Sequence, residues 1–190
     1  KVVKEVREAD KAHSVQKNIK TKNEVIELSD SDTPETQSWR EELYHLLTKE
    51  VSPDAFERLA QRLLRESGFV QVEITGRTGD GGIDGKGIAR IHGFMSFHVI
   101  FQCKKYQGSV SAGEIRDFRG AMVGRADKGL FITTGTFTPA AIKEATRDGA
   151  PPIDLVDGEQ LAEKLKELKL GVQTEMIEKV TINKGWFSNL

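Results

Sequence analysis

The chain has one cysteine, five prolines, two tryptophans and two tyrosines in 190 residues, and its 28 basic and 29 acidic residues leave a formal charge of −1. The single thiol, Cys103, excludes an internal disulfide and any cluster of several thiolates, and it suits a reducing, cytoplasmic compartment. A near-neutral total excludes chain-wide attraction to nucleic acid, so any such affinity has to come from a local patch. No apolar run is long enough to span a bilayer and no signal-peptide pattern opens the chain, so no membrane partner is expected. A Gly-x-x-x-x-Gly-Lys-Ser/Thr loop and a His-Glu-x-x-His pair are both missing, which argues against nucleotide hydrolysis and a zinc-protease site; His13, His45, His92 and His98 are scattered. What remains is enough chain for one ordinary domain plus an extension.

Residues 1–38 are polar and pass through Leu28-Ser29-Asp30-Ser31-Asp32-Thr33-Pro34, a composition that buries too little to order itself. We read them as a flexible linker or the tail of an upstream domain, with Val2, Val3, Val6 and Ala9 as a marginal amphipathic helix. The start at Lys1 rather than Met leads us to expect a fragment, with a target-recognition domain upstream of it. The domain proper spans 39–172, and 173–190 form a C-terminal tail whose apolar residues (Met176, Ile177, Val180, Ile182, Trp186, Phe187) predict packing over the core.

Within the domain, Trp39, Leu43, Leu46 and Leu47 repeat at helical spacing. Ser52-Pro53-Asp54 supplies a capping hydroxyl, a proline where its missing N–H costs nothing, and an acid at the positive end of the helix dipole. The stripe Phe56, Leu59, Ala60, Leu63, Leu64 follows, and Gly68 ends that helix. Strands are predicted at 70–74, 83–91, 97–106, 130–133 and 153–156. Ser111 with Glu114 reads as a capping box opening the helix Ile115, Phe118, Met122; Thr138-Pro139 and Asp157 with Gln160 open two more. The order α-β-β-β-α-β-α-β-α predicts an α/β fold with a mixed central sheet flanked by helices.

The chemistry concentrates in Gly79-Asp80-Gly81-Gly82-Ile83-Asp84-Gly85 and Phe101-Gln102-Cys103-Lys104-Lys105-Tyr106. Strand alternation places Phe97, Val99, Phe101 and Cys103 on a core face and Ile100, Gln102 and Lys104 on the other. Asp is depleted in strands, so Asp84 at a strand calls for a reason, whereas Asp80 has one in the tight turn. An acid and a Gln-x-Lys pair on successive extended segments suggest a metal-dependent nuclease.

The whole pattern from Ser52 to Val172 resembles the Mrr-type restriction endonuclease family, a branch of the PD-(D/E)xK nucleases. Besides the two segments above it includes Phe56-Glu57-Arg58-Leu59, Glu114-Ile115-Arg116-Asp117-Phe118, Gly129-Leu130-Phe131-Ile132-Thr133-Thr134 and Leu155-Val156-Asp157-Gly158. The resemblance implies the restriction-endonuclease-like fold and a catalytic set of Asp84, Gln102, Lys104 and the helix-borne Glu57. The generic pattern has a carboxylate where this chain has Gln102, a change that the Mrr branch tolerates. The implied cofactor is Mg²⁺ or Mn²⁺, held by oxygen from Asp84, Gln102, Glu57 and the backbone carbonyl of Cys103. Lys104 would steer water or stabilise developing negative charge. The implied partner is double-stranded DNA, the wider role type IV-like restriction of modified, usually methylated, foreign DNA. A homodimer follows from the need for two sites to cut two strands.

Plainer readings stand beside these. Glu57 sits on the edge of its helix's apolar stripe, where it either serves the metal and its water or pairs with Arg58 or Arg62 as a rim acid. Lys86, Arg90, Lys104, Lys105, Arg116, Arg119 and Arg125 form either a DNA-binding patch or a mixed solvated surface. Lys105 and Tyr106 are strand-end residues that either meet phosphate or face water. Glu114 is explained by its capping box, Thr133 and Thr134 by the preference of strands for β-branched residues, and Cys103 as a small buried hydrophobe. The rival functions are a structure-specific DNase of the junction-resolvase kind and a non-cleaving DNA-binding module on the same fold.

Overall fold

The computed structural model describes residues 34–75, 82–91, 93–178 and 180–189. The expected helix at Val2–Ala9, the turn acid Asp80, and His13 and His92 lie outside the described residues. The chain divides into two units, 1–38 and 39–190.

Helix α1 (Pro34–His45) continues into one turn of π-helix, Leu46–Glu50. It therefore starts earlier than the spacing from Trp39 predicts, within residues assigned to the linker. Helix α2 (Pro53–Glu66) begins as expected, with Ser52 Oγ accepting the Ala55 N–H at 3.2 Å. Strands β1 (Val70–Ile74), β2 (Gly85–Ile91) and β3 (Met95–Lys104) follow, then the short β4 (Ser109–Val110) and helix α3 (Ala112–Met122). Strand β5 (Lys128–Thr133), short β6 (Thr136–Phe137), helix α4 (Pro139–Ala145), strand β7 (Ile153–Val156) and helix α5 (Gly158–Glu167) complete the domain, and α6 (Lys184–Phe187) is a single turn near the C-terminus.

The main sheet has the order β1-β2-β3-β5-β7, antiparallel across its first three strands and parallel across its last three. The mixed sheet expected from hairpins followed by helix crossovers is thus observed. The parallel pair β4-β6 is not foreseen by periodicity, because two-residue strands carry none.

Helices cover both faces. On one side Leu64, Val72 and Phe101 pack together, and Leu47, Phe56, Ala60, Leu63, Ile132, Leu161 and Leu165 make a second cluster, so α2 and α5 lie there. On the other side Ile100, Phe131 and Ile153 meet Ile115, Phe118 and Met122 of α3 and Ala141 and Ala145 of α4. Each fully buried Phe or Leu contributes on the order of 2–3 kcal/mol. This three-layer packing corrects the division of β3 into a core face and a chemical face. Val99, Ile100 and Phe101 are all buried, because helices press on the strand from both sides, and the polar face opens only at its last residues.

The C-terminal tail also departs from expectation. Met176, Ile177, Val180, Ile182, Trp186 and Phe187 are all exposed rather than laid over the core. Arg119, assigned to a basic surface, is buried: its guanidinium donates to the carbonyls of Pro151, Glu144 and Ala145, and Glu144 lies beside it. It ties α3 to α4 and the segment before β7.

Candidate active site

Asp84 stands immediately before β2, already in ladder geometry. Its N–H donates to the Phe101 carbonyl (3.0 Å) and its carbonyl accepts from Thr75 N–H (2.8 Å). Its side chain turns back along the sheet, and Oδ2 accepts the backbone N–H of Cys103 at 2.5 Å. The carboxylate is therefore clamped against β3 between Gln102 and Lys104. Two glycines make this possible. A Cβ at Gly85 would collide with the Phe101 ring and the Glu73 carbonyl, and one at Gly82 would come within 2.6 Å of the Gln102 amide nitrogen. Gly82 also has φ +83°, a conformation that favours glycine.

Cys103 faces α2, since it packs with the Leu64–Phe101 and Phe56–Leu63 clusters. Its thiol is pushed well above its usual range, chiefly by burial and then by the charges of Asp84 and Glu57. It is held protonated and packs against the core as a partly buried residue, less enclosed than the expected buried hydrophobe. The same effect places Glu57, half-buried on α2, within electrostatic reach of this strand position. Among the described residues Glu57 has no ion pair, and Arg62 bonds Glu66 instead (2.8 Å), so the rim-pair reading with Arg62 does not hold.

By alternation Gln102 and Lys104 point the other way, toward α3. The Lys104 ammonium pairs with Glu114 of that helix, and it also lies 4.9 Å from the Tyr106 ring centroid. Glu114 does complete the capping box with Ser111, but the box is not its whole role. Thr133 and Thr134 likewise exceed the strand preference. Both are buried; Thr133 Oγ1 donates to the Lys104 carbonyl (2.9 Å), Thr134 N–H donates to the same oxygen (3.3 Å), and Thr134 Oγ1 bonds Tyr106 at both N–H and C=O (2.8 Å each). These hydroxyls fix the end of β3. The only signal in the sequence was two threonines in succession at the close of an apolar run. Lys105 is not a solvated strand end: its ammonium donates to the Val51 carbonyl at 2.5 Å, tying β3 to the start of α2.

The structure thus brings Asp84, Gln102, Cys103 and Lys104 to one end of the β2–β3 pair, with Glu57 approaching from α2 and Glu114 from α3. A family profile described as restriction endonuclease, for the Mrr catalytic domain, matches residues 48–165. The chain belongs to the Mrr-type restriction endonuclease family. It is similar to the type IV methyl-directed restriction enzyme EcoKMrr of Escherichia coli (strain K12), 34% identical over 146 residues, which cover 73% of this chain and 46% of that enzyme. Among solved structures it is similar to the DNA modification-dependent restriction endonuclease AspBHI, with a TM-score of 0.58 and 25% identity over 74% of this chain and 37% of that one. The chain therefore spans less than half the length of each of these two restriction enzymes.

The family's fold and the mixed sheet with flanking helices agree. Among the described residues no three His, Cys, Asp or Glu side chains gather as a metal cage. With Glu114 engaged by Lys104 and Ser111, the oxygen donors left at this end are the carboxylates of Asp84 and Glu57, the Gln102 amide and the Cys103 carbonyl. That set fits a hard divalent cation, since Mg²⁺ uses one or two carboxylates and keeps several waters; it does not fit zinc, which favours nitrogen and sulfur. No helix among the described residues is long and apolar enough to cross a membrane.

Proposed function

We propose that this domain hydrolyses phosphodiester bonds of double-stranded DNA with Mg²⁺ or Mn²⁺, as the catalytic part of a cytoplasmic enzyme restricting modified, chiefly methylated, DNA. The observation that carries the reading is the clamp itself: Asp84 held on the N–H of Cys103, between Gln102 and a Lys104 whose backbone is pinned by β5. The names of the two relatives support modification-dependent restriction as the wider role.

In this reading Asp84, the Gln102 amide oxygen and the Cys103 carbonyl hold the cation, and Glu57 either joins them or orients a water. The cation, when bound, neutralises phosphate charge and makes a coordinated water more acidic. Lys104 supplies a positive group for the phosphate oxygens as negative charge builds. Glu57→Gln separates its two roles: it reduces metal affinity if Glu57 is a ligand and leaves affinity unchanged if it orients water. Target choice belongs to an upstream recognition domain, and cutting both strands to a pair of copies.

The test is cleavage of methylated and unmethylated plasmid by the domain and by the full-length protein. Cleavage should require Mg²⁺ or Mn²⁺, stop with chelator, and in the full-length protein prefer methylated DNA. DNA binding should weaken steeply with salt as phosphate contacts release counterions. Undiminished cleavage in excess chelator would overturn the metal reading.

A further inference from the structure

On the generic pattern an acid stands two residues before the lysine, on the same face of the strand; here that position is the neutral Gln102. Negative charge reaches Lys104 from elsewhere. Glu114, at the third position of α3, divides its carboxylate: Oε2 accepts the Ser111 backbone N–H at 2.7 Å, and Oε1 meets the Lys104 ammonium. One oxygen is fixed to the helix start, so the other is fixed in space. The carbonyl of Lys104 is meanwhile held by Thr133 and Thr134. The side chain is thus anchored at its root by β5 and at its head by α3, with the Tyr106 ring beside it.

We propose that Glu114 is a positioning residue for Lys104, and that its charge is what the site uses, apart from its part in the cap. The inference rests on the nuclease reading, in which Lys104 acts on the phosphate. The pair is about one-third exposed (36% and 30%), a setting in which an ion pair adds little stability. A contact with so little to add to folding is explained by what it does to the ammonium. A lysine has four rotatable bonds, and holding its head near one place replaces a search at every turnover.

The motif itself supplies the test, because glutamine serves a capping box as well as glutamate does. Glu114→Gln keeps the acceptor for the Ser111 N–H and removes the charge facing Lys104. Single-turnover cleavage should fall at least about tenfold, as expected when a reacting group is misplaced, while affinity for uncleaved DNA stays at the parent value and melting temperature falls by no more than a few degrees, the effect of losing one first-turn charge. Ser111→Ala is the reverse control: it weakens the cap through the side chain but leaves the backbone N–H that holds Oε2. It should lower the melting temperature and keep the parent's rate. Independently of cleavage, the ammonium protons of Lys104 should be visible by nitrogen-15 NMR in the parent and broadened away in Glu114→Gln.

Parent-like or faster cleavage by Glu114→Gln, in a protein where Lys104→Ala is inactive, would overturn the proposal and leave the nuclease reading intact. A parent that cleaves nothing in its full-length form would overturn the nuclease reading, and the ammonium signal would then decide the positioning claim alone: retention in Glu114→Gln would overturn it.

Discussion

The molecule holds two clusters of charge on opposite ends of the same helix, and they are built to different rules. At the end of α3, Arg119 and Glu144 are almost fully buried, with side-chain exposures of 6% and 11%, and the guanidinium is surrounded by backbone carbonyls. Arg116 and Arg147 add charge to the same carboxylate from the surface, at 3.7 and 3.4 Å. At the start of α3, Lys104 and Glu114 remain about one-third exposed and open to whatever binds at the β2–β3 end. Burial makes the first cluster indispensable to folding, since an uncompensated charge inside costs several kcal/mol. Partial exposure makes the second nearly neutral to folding and available for chemistry.

The sharpest way to break this contrast is at the clamp. Asp84→Asn and Lys104→Ala should each lower single-turnover DNA cleavage by at least about 100-fold, the scale of losing one electrostatic contributor, with melting temperature within a degree or two of the parent. If both variants cleave at the parent's rate, the catalytic assignment is wrong. Next in size, Arg119→Ala should cost about 3 kcal/mol by chemical denaturation, because it removes the one buried cation facing Glu144 and the donor shared by three carbonyls, and leaves Glu144 only its surface arginines. Its cleavage per folded molecule, measured well below the melting point, should match the parent. Loss of activity without loss of stability there would erase the distinction between the clusters.

The smallest effect concerns Cys103. Its pKa is raised in the folded state, so the folded protein holds the thiol proton more tightly than the unfolded chain does. The associated stability is complete below the ordinary thiol value of 9.0 and is lost as pH rises above it. Denaturation between pH 8 and 10.5 should show declining stability in the parent and a flatter profile in Cys103→Ala, and alkylation of the native thiol at pH 8 should be slow. Rapid labelling would show a thiolate, and with it a site less desolvated than the packing on α2 implies.

Elements with a local cause were readable before any coordinates. Strands at 70–74 and 153–156 match the observed bounds, and the caps at Ser52, Ser111, Thr138 and Asp157 all form, because a cap needs only residues three apart in sequence. The acid and Gln-x-Lys pair was legible for a similar reason: two short segments carry it, each with its own pattern. Burial of Arg119, exposure of the tail and the closing of both faces on β3 were not, since each depends on which surface a distant helix covers.

By its own order of residues, then, the chain determined its family, its longer strands and helices, and the identity of Asp84, Gln102 and Lys104 as the polar group at one strand end. Only the tertiary structure decided what those groups meet. Asp84 finds the N–H of Cys103 nineteen residues away, and Lys104 finds hydroxyls on β5 and a carboxylate on α3. Sequence patterns report the period of an element, which is set within a few residues. Partners across a sheet are set by pairing register and layer packing, which no single segment encodes.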